Sequence, residues 1–290
     1  MVNLIARAEW QVLAAAHHST VEALTIEARQ RKAAGVRHPI EDFMWTYYSQ
    51  RPTQFLKWHP GAAAALEDAE EFADERGYAV ADGTARVSSG FIEARREALQ
   101  WMLDLQTSLL EREPRFGCFG LHEWAMVYQL DQSEVRHEQA PLRLPKERIA
   151  EIVEAQRLKC THYDAFRFYV PAARSLNHMM LQREDQQANE QPGCLHANMD
   201  LYKWCYKAAP IVSSDLMVEC FNLARDIRTL DMQAAPYDLT EWNLEPVRIE
   251  EAEGRAEYVR RQREFHERAT ALRVEFIKQI SAALSEHRAD

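Results

Sequence analysis

The sequence has no apolar run near the roughly 20 residues that a membrane-spanning helix requires. Its first residues, MVNLIARAEWQVLAAAHHST, also lack the basic region, apolar segment and small-residue cleavage site of a secretory signal. Five cysteines, an odd number without paired spacing, argue against a disulfide framework and fit a reducing compartment. We therefore expect a soluble, cytoplasmic protein with no membrane partner.

A surplus of basic residues is missing as well. The formal net charge is −10 and the isoelectric point is about 5.6. Broad, salt-driven binding to nucleic acid needs many lysines and arginines facing phosphate, so the composition disfavours it and leaves room only for a local basic groove. The sequence also has no G-x-S-x-G elbow, Walker loop, G-x-G-x-x-G or H-E-x-x-H motif, so none of these motifs indicates a reaction type or a cofactor.

Helical periodicity runs through most of the chain. Residues 7–34 carry apolar side chains at 3–4 spacing and predict a long helix that ends near Gly35. Residues 38–61 read as helix interrupted at Pro52 and stopped at Pro60. Further helices are predicted over 88–113, 120–131, 146–159, 161–169, 195–208, 213–232 and about 250–286.

One stretch has a different signature. Asp82-Gly83 lies between short alternating runs and predicts a short β-hairpin near residues 77–89. No repeat and no long linker divides the chain. We therefore expect a single, mainly α-helical domain over residues 1–290, whose long terminal helix could pair with that of a second copy in a homodimer.

Three segments place a cysteine, a histidine and a carboxylate at a predicted helix start. They contain Cys118, His122 and Glu123; Cys160, His162 and Asp164; and Cys194, His196 and Asp200. A helix N-terminus suits anions and keeps a carboxylate ionised. Each segment alone fits a cap or a satisfied core group, but the three together favour one shared pocket.

The third of these helices carries two stripes. Leu195, Met199 and Tyr202 form one that suits packing, while His196, Asp200 and Lys203 form the other. We expect the second stripe to face a polar pocket; the alternative is a solvent-facing row of ion pairs.

Aromatic and basic side chains are concentrated between residues 38 and 61. Trp45, Tyr48, Arg51, Trp58 and His59 would suit stacking on a flat ring or a cationic group. Core packing would account for at least half of these rings.

Three kinds of chemistry fit the histidine segments. A zinc site would use their cysteines and histidines, but the spacings C-x3-H and C-x-H lack paired C-x2-C clips. An iron or manganese site would draw on His122, Glu123, His162, His196 and Asp200, without the Glu-x-x-His pairs of ferritin-like proteins. A third possibility needs no metal and uses a carboxylate and an imidazole as base and electrostatic stabiliser.

The chain resembles a known family in six strings. They are HPIEDFMWTYYSQRP, WHPG, FGCFGLHEWAMVY, CTHYDAFRFY, EQPGCLHANMDLYKW and LDMQAAPYDL. Together they are similar to a family of actinobacterial proteins of about this length labelled 3-methyladenine DNA glycosylase. The helix-hairpin-helix loop of one large glycosylase superfamily is absent. The resemblance implies an N-glycosylase that excises alkylated purines from damaged DNA and needs no cofactor.

Such an enzyme must stack on a flipped, cationic base and stabilise an oxocarbenium-like sugar with a carboxylate. Asp164 or Glu123 would supply that carboxylate, with His162 and His196 as catalytic partners. Stacking would fall to Trp45, Tyr48, Trp58 and Trp124, and phosphate contacts to Arg51, Arg167 and Lys203.

Two further functions stay open from the residues alone. A helical oxidase or oxygenase would bind iron, manganese or zinc at the histidine segments and act on a small molecule. A non-catalytic protein would use the same pocket to bind a small molecule or a partner without turnover.

Overall fold

The computed structural model describes residues 2–135 and 139–286. Over these residues the chain is mainly α-helical, as predicted. Its α-helices are α1 (Arg7–Ala34), α2 (Phe43–Thr46), α3 (Pro52–Phe55), α4 (Ser89–Glu93), α5 (Arg96–Glu111), α6 (Leu121–Met126), α7 (Lys146–Ala155), α8 (Tyr163–Phe166), α9 (Pro171–Arg174), α10 (Gln186–Asn189), α11 (Leu195–Ala208), α12 (Ser214–Ala234) and α13 (Ala252–Glu286). Short 3-10 turns occupy Glu70–Phe72, Gln132–Glu134, Arg183–Asp185 and Thr240–Trp242.

The long helices match the sequence prediction closely. Helix α1 ends where Gly35 takes a left-handed conformation, with φ of 68°, a backbone geometry that glycine adopts without steric cost. Helix α11 has the predicted bounds, and the predicted terminal helix is α13. Strong periodicity over several turns therefore fixed these elements correctly.

The shorter predicted helices cover fewer residues in the structure than the sequence predicts. The stretch 38–61 holds only the four-residue helices α2 and α3, with Pro52 at the first position of α3, where its fixed φ suits a helix start. Residues 120–131 form helix only as far as Met126, and residues 161–169 only over Tyr163–Phe166. Turn chemistry overrides apolar spacing in such short segments.

The predicted hairpin is part of a small sheet. Strands β1 (Asn3–Ile5), β2 (Ala64–Leu66), β3 (Tyr78–Ala81) and β4 (Thr84–Val87) lie in the order β1-β2-β4-β3. Strands β3 and β4 form the antiparallel hairpin, with Tyr78 opposite Val87, and β1 pairs parallel to β2. Both Asp82 and Gly83 have positive φ, as a type I′ turn requires. Strands β1 and β2 span three residues each, too few to show a period.

The chain divides into two compact units. The first comprises residues 1–107, 201–222 and 271–290, and the second comprises residues 108–200 and 223–270. The single-domain organisation stays a prediction. Over the described ranges, no helix has the length and apolar content needed to cross a bilayer.

The first unit contains several contacts between aromatic side chains. Near the sheet, Trp58 is buried in a cluster with Trp10 and Phe72. Further along, Tyr48 meets Tyr202 edge to edge with ring centroids 5.3 Å apart. These side chains belong to the unit's apolar core.

The core of the second unit contains a group of buried polar side chains. Every residue from 190 to 200 is buried, including His196, Asp200 and Glu190. The alternative of a solvent-facing row of ion pairs along the start of α11 is therefore wrong, because both stripes of this helix are enclosed. Since buried polar groups must be satisfied by other polar groups or by ions, the partners of these side chains define the site.

Candidate metal centre

Three imidazoles meet in the core of the second unit. His122 lies in the first turn of α6, His162 caps α8 and His196 lies in the first turn of α11. The ring centroids of His122 and His196 are 4.5 Å apart, and those of His162 and His196 are 5.3 Å apart. All three side chains are buried. The helix starts thus bring together one histidine from each of the three Cys-His-carboxylate segments.

Glycines in the turns before these helices permit close backbone packing. A Cβ on Gly193 would lie 2.6 Å from the carbonyl oxygen of Arg115. Gly120 has φ of 71°, and a Cβ there would lie 3.3 Å from the ring of Tyr258. The close neighbours of these glycines are therefore other parts of this chain.

His122, His196 and Asp231 form a first group of potential ligands. One donor atom from each lies within 4.8 Å of the other two. His122 Nε2 and Asp231 Oδ1 are 2.8 Å apart. Neither atom has a partner with hydrogen-bond geometry, although both are buried. Two buried atoms that face each other in this way can share a proton or a metal cation.

Arg228 fixes the orientation of Asp231. Its Nη1 donates to Asp231 Oδ2 at 3.0 Å and to Glu123 Oε1 at 2.7 Å. One oxygen of Asp231 is thereby held by the guanidinium, while the other faces His122. Glu123 was predicted as a catalytic carboxylate or metal ligand, but it lies outside both groups and accepts from the same Arg228 nitrogen as Asp231 in a buried ion pair.

His162, Glu190 and Asp200 form a second group. Their donor atoms also lie within 4.8 Å of one another. His162 Nε2 is 3.1 Å from Glu190 Oε1 and 3.1 Å from Asp200 Oδ2. Gln186 Nε2 donates to Glu190 Oε1 at 2.6 Å and orients this carboxylate. The second group therefore offers one imidazole and two carboxylates next to the first.

Burial and charge act differently on the histidines. Burial, reinforced by neighbouring His122, holds the pKa of His196 well below its ordinary value, so its ring is neutral and can bind a metal. Burial also opposes protonation of His122, but the nearby Asp231 carboxylate raises the pKa of His122 overall. The pKa of Asp231 is lowered in turn by the His122 charge, against the effect of burial.

A small cavity of about 20 Å³ borders His122 and His196. Cys118, Cys160 and Cys194 line it, and Lys159, which is exposed, lines its outer side. All five cysteines of the chain are free thiols. Burial raises the pKa of Cys160 to about 12 and raises those of Cys118 and Cys194, which keeps these thiols protonated.

The cysteine-rich zinc site is not preformed. Among the described residues, the donor groups that come within 4.8 Å of one another contain histidines and carboxylates but no cysteine. Thiolate ligands around one zinc ion would lie closer together, since each Zn–S bond is only about 2.3 Å long. The thiols therefore line the cavity beside the ligand groups.

Asp164 lies outside the two ligand groups. It forms an ion pair with Arg167 at 3.1 Å, in which Asp164 is 24% and Arg167 45% exposed. Arg167 also stacks over Phe168, with 4.3 Å between the guanidinium carbon and the ring centroid. The predicted grouping of Asp164 with His122 and His196 is not seen in these ligand groups, and Asp164 forms a partly exposed pair with Arg167 instead.

Trp124 lies in the core of the second unit. Its side chain is fully buried and its Nε1 donates to the carbonyl oxygen of Ala234 at 2.8 Å. Arg143 covers its ring at 5.3 Å. The predicted stacking of Trp124 on a substrate base finds no exposed ring in the structure, since the side chain is fully buried and its indole nitrogen is engaged within the protein.

The remaining predicted binding residues belong to the first unit. Tyr48 and Trp58 are core side chains, which corrects their assignment to a ligand-stacking wall. His59 Nδ1 lies 3.1 Å from the hydroxyl of Tyr78. Arg51 is exposed before α3, and a role for it in phosphate contact stays a prediction.

Two other members of that set pack on aromatic rings. Trp45 packs against Phe221 with 5.3 Å between ring centroids. Lys203 is buried, with its Nζ 4.4 Å from the ring centroid of Trp204.

Sequence reasoning missed Asp231, Glu190 and Arg228. Asp231 and Arg228 lie near the end of α12, and Glu190 precedes the turn at Pro192-Gly193. All three lie away from the helix starts on which the sequence argument depends. A usable signal existed, because Arg228 and Asp231 are three residues apart on a helix otherwise rich in apolar residues.

No family model, no curated protein and no solved structure matches this chain.

Proposed function

We propose that the second unit binds two metal ions and that the protein is a metal-dependent oxidoreductase. The observation that carries this proposal is the pair of buried ligand groups, His122, His196 and Asp231 beside His162, Glu190 and Asp200. Two histidines and one carboxylate are the typical ligands of non-haem iron enzymes that activate oxygen. Imidazole and carboxylate donors also suit manganese and zinc.

The distances within each group support metal binding. Two donors that each lie about 2.1 Å from one ion, at right angles, are about 3 Å apart. The pair His122 Nε2 and Asp231 Oδ1 lies at 2.8 Å. The contacts of His162 Nε2 with Glu190 and Asp200 both measure 3.1 Å. Small movements of the side chains would complete either site.

The hydrogen bonds around the ligands support it further. Metal-binding carboxylates are oriented by outer partners, whose removal weakens metal binding. Arg228 plays this part for Asp231, and Gln186 plays it for Glu190. In the first group Arg228 holds the Asp231 oxygen that does not face His122, whereas in the second group Gln186 donates to the same Glu190 oxygen that faces His162.

The base-excising activity implied by the resemblance stays a prediction, and the geometry supports it less well. A flipped purine needs a pocket that encloses its ring system. The cavity beside the histidines measures about 20 Å³, far below the roughly 300 Å³ at which pockets for drug-sized ligands begin. Glu123, one of its proposed carboxylates, is neutralised by Arg228.

Metal analysis tests the proposal directly. The protein is produced with iron, manganese and zinc supplied, and bound metal is measured by plasma mass spectrometry after gel filtration. We expect about two ions per chain. Asp231→Asn keeps the side-chain shape and should lose metal from the first group. His178→Ala is the matched control, because His178 is exposed in the same unit. Less than a tenth of an ion per chain in the unaltered protein would refute the proposal.

A further inference from the structure

An open groove follows helix α13 in the second unit. Its volume is about 500 Å³, within the range of roughly 300–1,000 Å³ that is typical of small-molecule sites. One aromatic residue and one stretch of α13 line it, namely Phe119, Arg255, Ala256, Val259, Arg260 and Arg263. None of these residues belongs to either metal-ligand group. We propose that the groove binds an elongated dianion with an apolar middle, of the class of aliphatic dicarboxylates.

The two ends of the groove carry uncompensated positive charge. Arg255 and Arg263 lie eight residues apart, which corresponds to about 12 Å along a helix axis. Among the described residues, neither of these arginines has a carboxylate partner. Arg260, which lies between them, is paired with Glu257 and Glu264. A ligand with a carboxylate at each end would therefore neutralise both unpaired guanidinium groups, which bind carboxylates through parallel hydrogen bonds.

Contacts within the protein hold each unpaired guanidinium but leave donors for a ligand. Arg255 Nη1 donates to the carbonyl oxygen of Ile249 at 3.1 Å. The guanidinium of Arg263 lies over the ring of Phe116, with 4.6 Å between its central carbon and the ring centroid. Because an arginine offers five N–H donors, one carbonyl contact or one ring contact leaves most of them for a carboxylate.

The middle of the groove is apolar. Ala256 and Val259 lie between the two unpaired arginines, and Phe119 adds an aromatic ring from a separate segment. Phe119 has φ of 48°, a left-handed conformation that is unusual for a bulky residue. Strained backbone of this kind is concentrated at ligand-binding sites. These side chains suit a methylene chain, whereas free phosphate would leave the apolar surface uncovered.

Titration calorimetry with decanedioate tests the proposal. The purified full chain is titrated with decanedioate, decanoate and decanediol, which share one chain length and carry two, one and no negative charges. Two temperatures are used, since burial of an apolar chain changes the heat capacity and the heat of binding cannot vanish at both. We expect submillimolar binding of decanedioate, binding of decanoate that is weaker by about tenfold or more, and no binding of decanediol.

Variants locate the binding site. Arg255→Gln and Arg263→Gln should each weaken decanedioate binding by about tenfold or more, because each removes one charged hydrogen-bonding partner. Arg268→Gln is the matched control, because Arg268 is an exposed arginine of the same helix that does not line the groove. This control should bind decanedioate with unchanged affinity.

Several outcomes would overturn the proposal. Absence of binding at millimolar decanedioate is one, and equal affinity for decanoate or decanediol is another, because charge at both ends would then be irrelevant. An equal loss of affinity in Arg268→Gln would reveal a general effect of net charge. Sedimentation of the unaltered protein and of Arg263→Gln tests a different occupant. A dimer that this variant dissociates would show that a second copy covers the groove.

Discussion

His122 Nε2 and Asp231 Oδ1 lie 2.8 Å apart in the buried core of the second unit, yet their contact lacks hydrogen-bond geometry. Without a metal the two side chains form a buried ion pair, in which the Asp231 carboxylate raises the pKa of His122 against the effect of burial. A metal cation bound between the two atoms would displace the proton of His122, so metal binding should compete with protonation.

Metal addition should stabilise the folded chain strongly. A ligand that binds only the native state adds about 4 kcal/mol when its concentration is a thousand times its dissociation constant. We expect thermal unfolding of chelator-treated protein to shift upward by several degrees with iron or manganese. His178→Ala should show the same shift and Asp231→Asn a much smaller one. An unchanged melting temperature at millimolar metal would count against the centre.

The buried ion pair of Arg228 should dominate local stability. Its guanidinium faces two buried carboxylates, Glu123 and Asp231. Removing one partner of a buried pair leaves uncompensated charge and costs about 3–5 kcal/mol. Arg228→Met should therefore lower the free energy of unfolding by that amount in a urea titration.

The surface pair of the same unit provides a comparison. Arg167→Met breaks the partly exposed contact with Asp164, and such pairs contribute about 0–1 kcal/mol. If both variants lose the same stability, the charges around Arg228 are solvated and the buried network is misassigned.

His59 should make the first unit sensitive to mild acid. Burial lowers the pKa of His59 to about 4, below the ordinary value near 6.5 that applies after unfolding. The unfolded chain therefore takes up a proton at this residue as pH falls through 6.5, while the folded chain stays neutral until about pH 4. Stability is full above pH 6.5 and falls by about 2 kcal/mol between pH 7 and pH 5.

The variant His59→Asn isolates that effect. Asparagine keeps a polar group near Tyr78 but does not titrate in this range. Urea midpoints at pH 7 and pH 5 should differ less in the variant than in the unaltered protein, by roughly 2 kcal/mol in free energy of unfolding. Equal pH dependence in both proteins would show that His59 titrates normally in the folded state.

The thiols should be hidden from reagents in the native protein. Cys160, Cys194, Cys205 and Cys220 are buried, and only Cys118 is partly exposed. Reaction of a thiol requires access and the thiolate form. Ellman's reagent at neutral pH should therefore detect at most one thiol in the native protein and five after unfolding. In Cys118→Ser the native count should fall to zero; two or more fast thiols would show that the cavity opens.

The helices and the hairpin that the sequence predicted correctly share one property, a signal within a single segment. Helices α1 and α11 show many turns of period, and the hairpin shows a turn dipeptide. His122, His162 and His196 also carry a local signal, because each follows a turn. Asp231 and Glu190 come within reach of these histidines only through the packing of distant segments, and the spacing of Arg228 and Asp231 indicates an ion pair but does not reveal that packing. Asp164 carried a good local signal, but its side chain faces Arg167.

The turn before α11 gives the sharpest test of how the ligands are positioned. A Cβ on Gly193 would approach the carbonyl oxygen of Arg115 to 2.6 Å and its amide nitrogen to 2.9 Å. Both are backbone atoms, so neither can rotate away. Gly193→Ala must therefore displace the chain between Glu190 and His196, at a cost of about 1–3 kcal/mol.

Gly117→Ala is the matched control, because its Cβ would meet only the flexible side chain of Lys159 at 3.7 Å, an ordinary contact. We expect this variant to keep native stability and full metal content. Gly193→Ala should lose stability and, since Glu190 and His196 belong to different ligand groups, should weaken binding of both metal ions together. Loss of stability with unchanged metal content would show that the turn supports the fold without positioning the ligands.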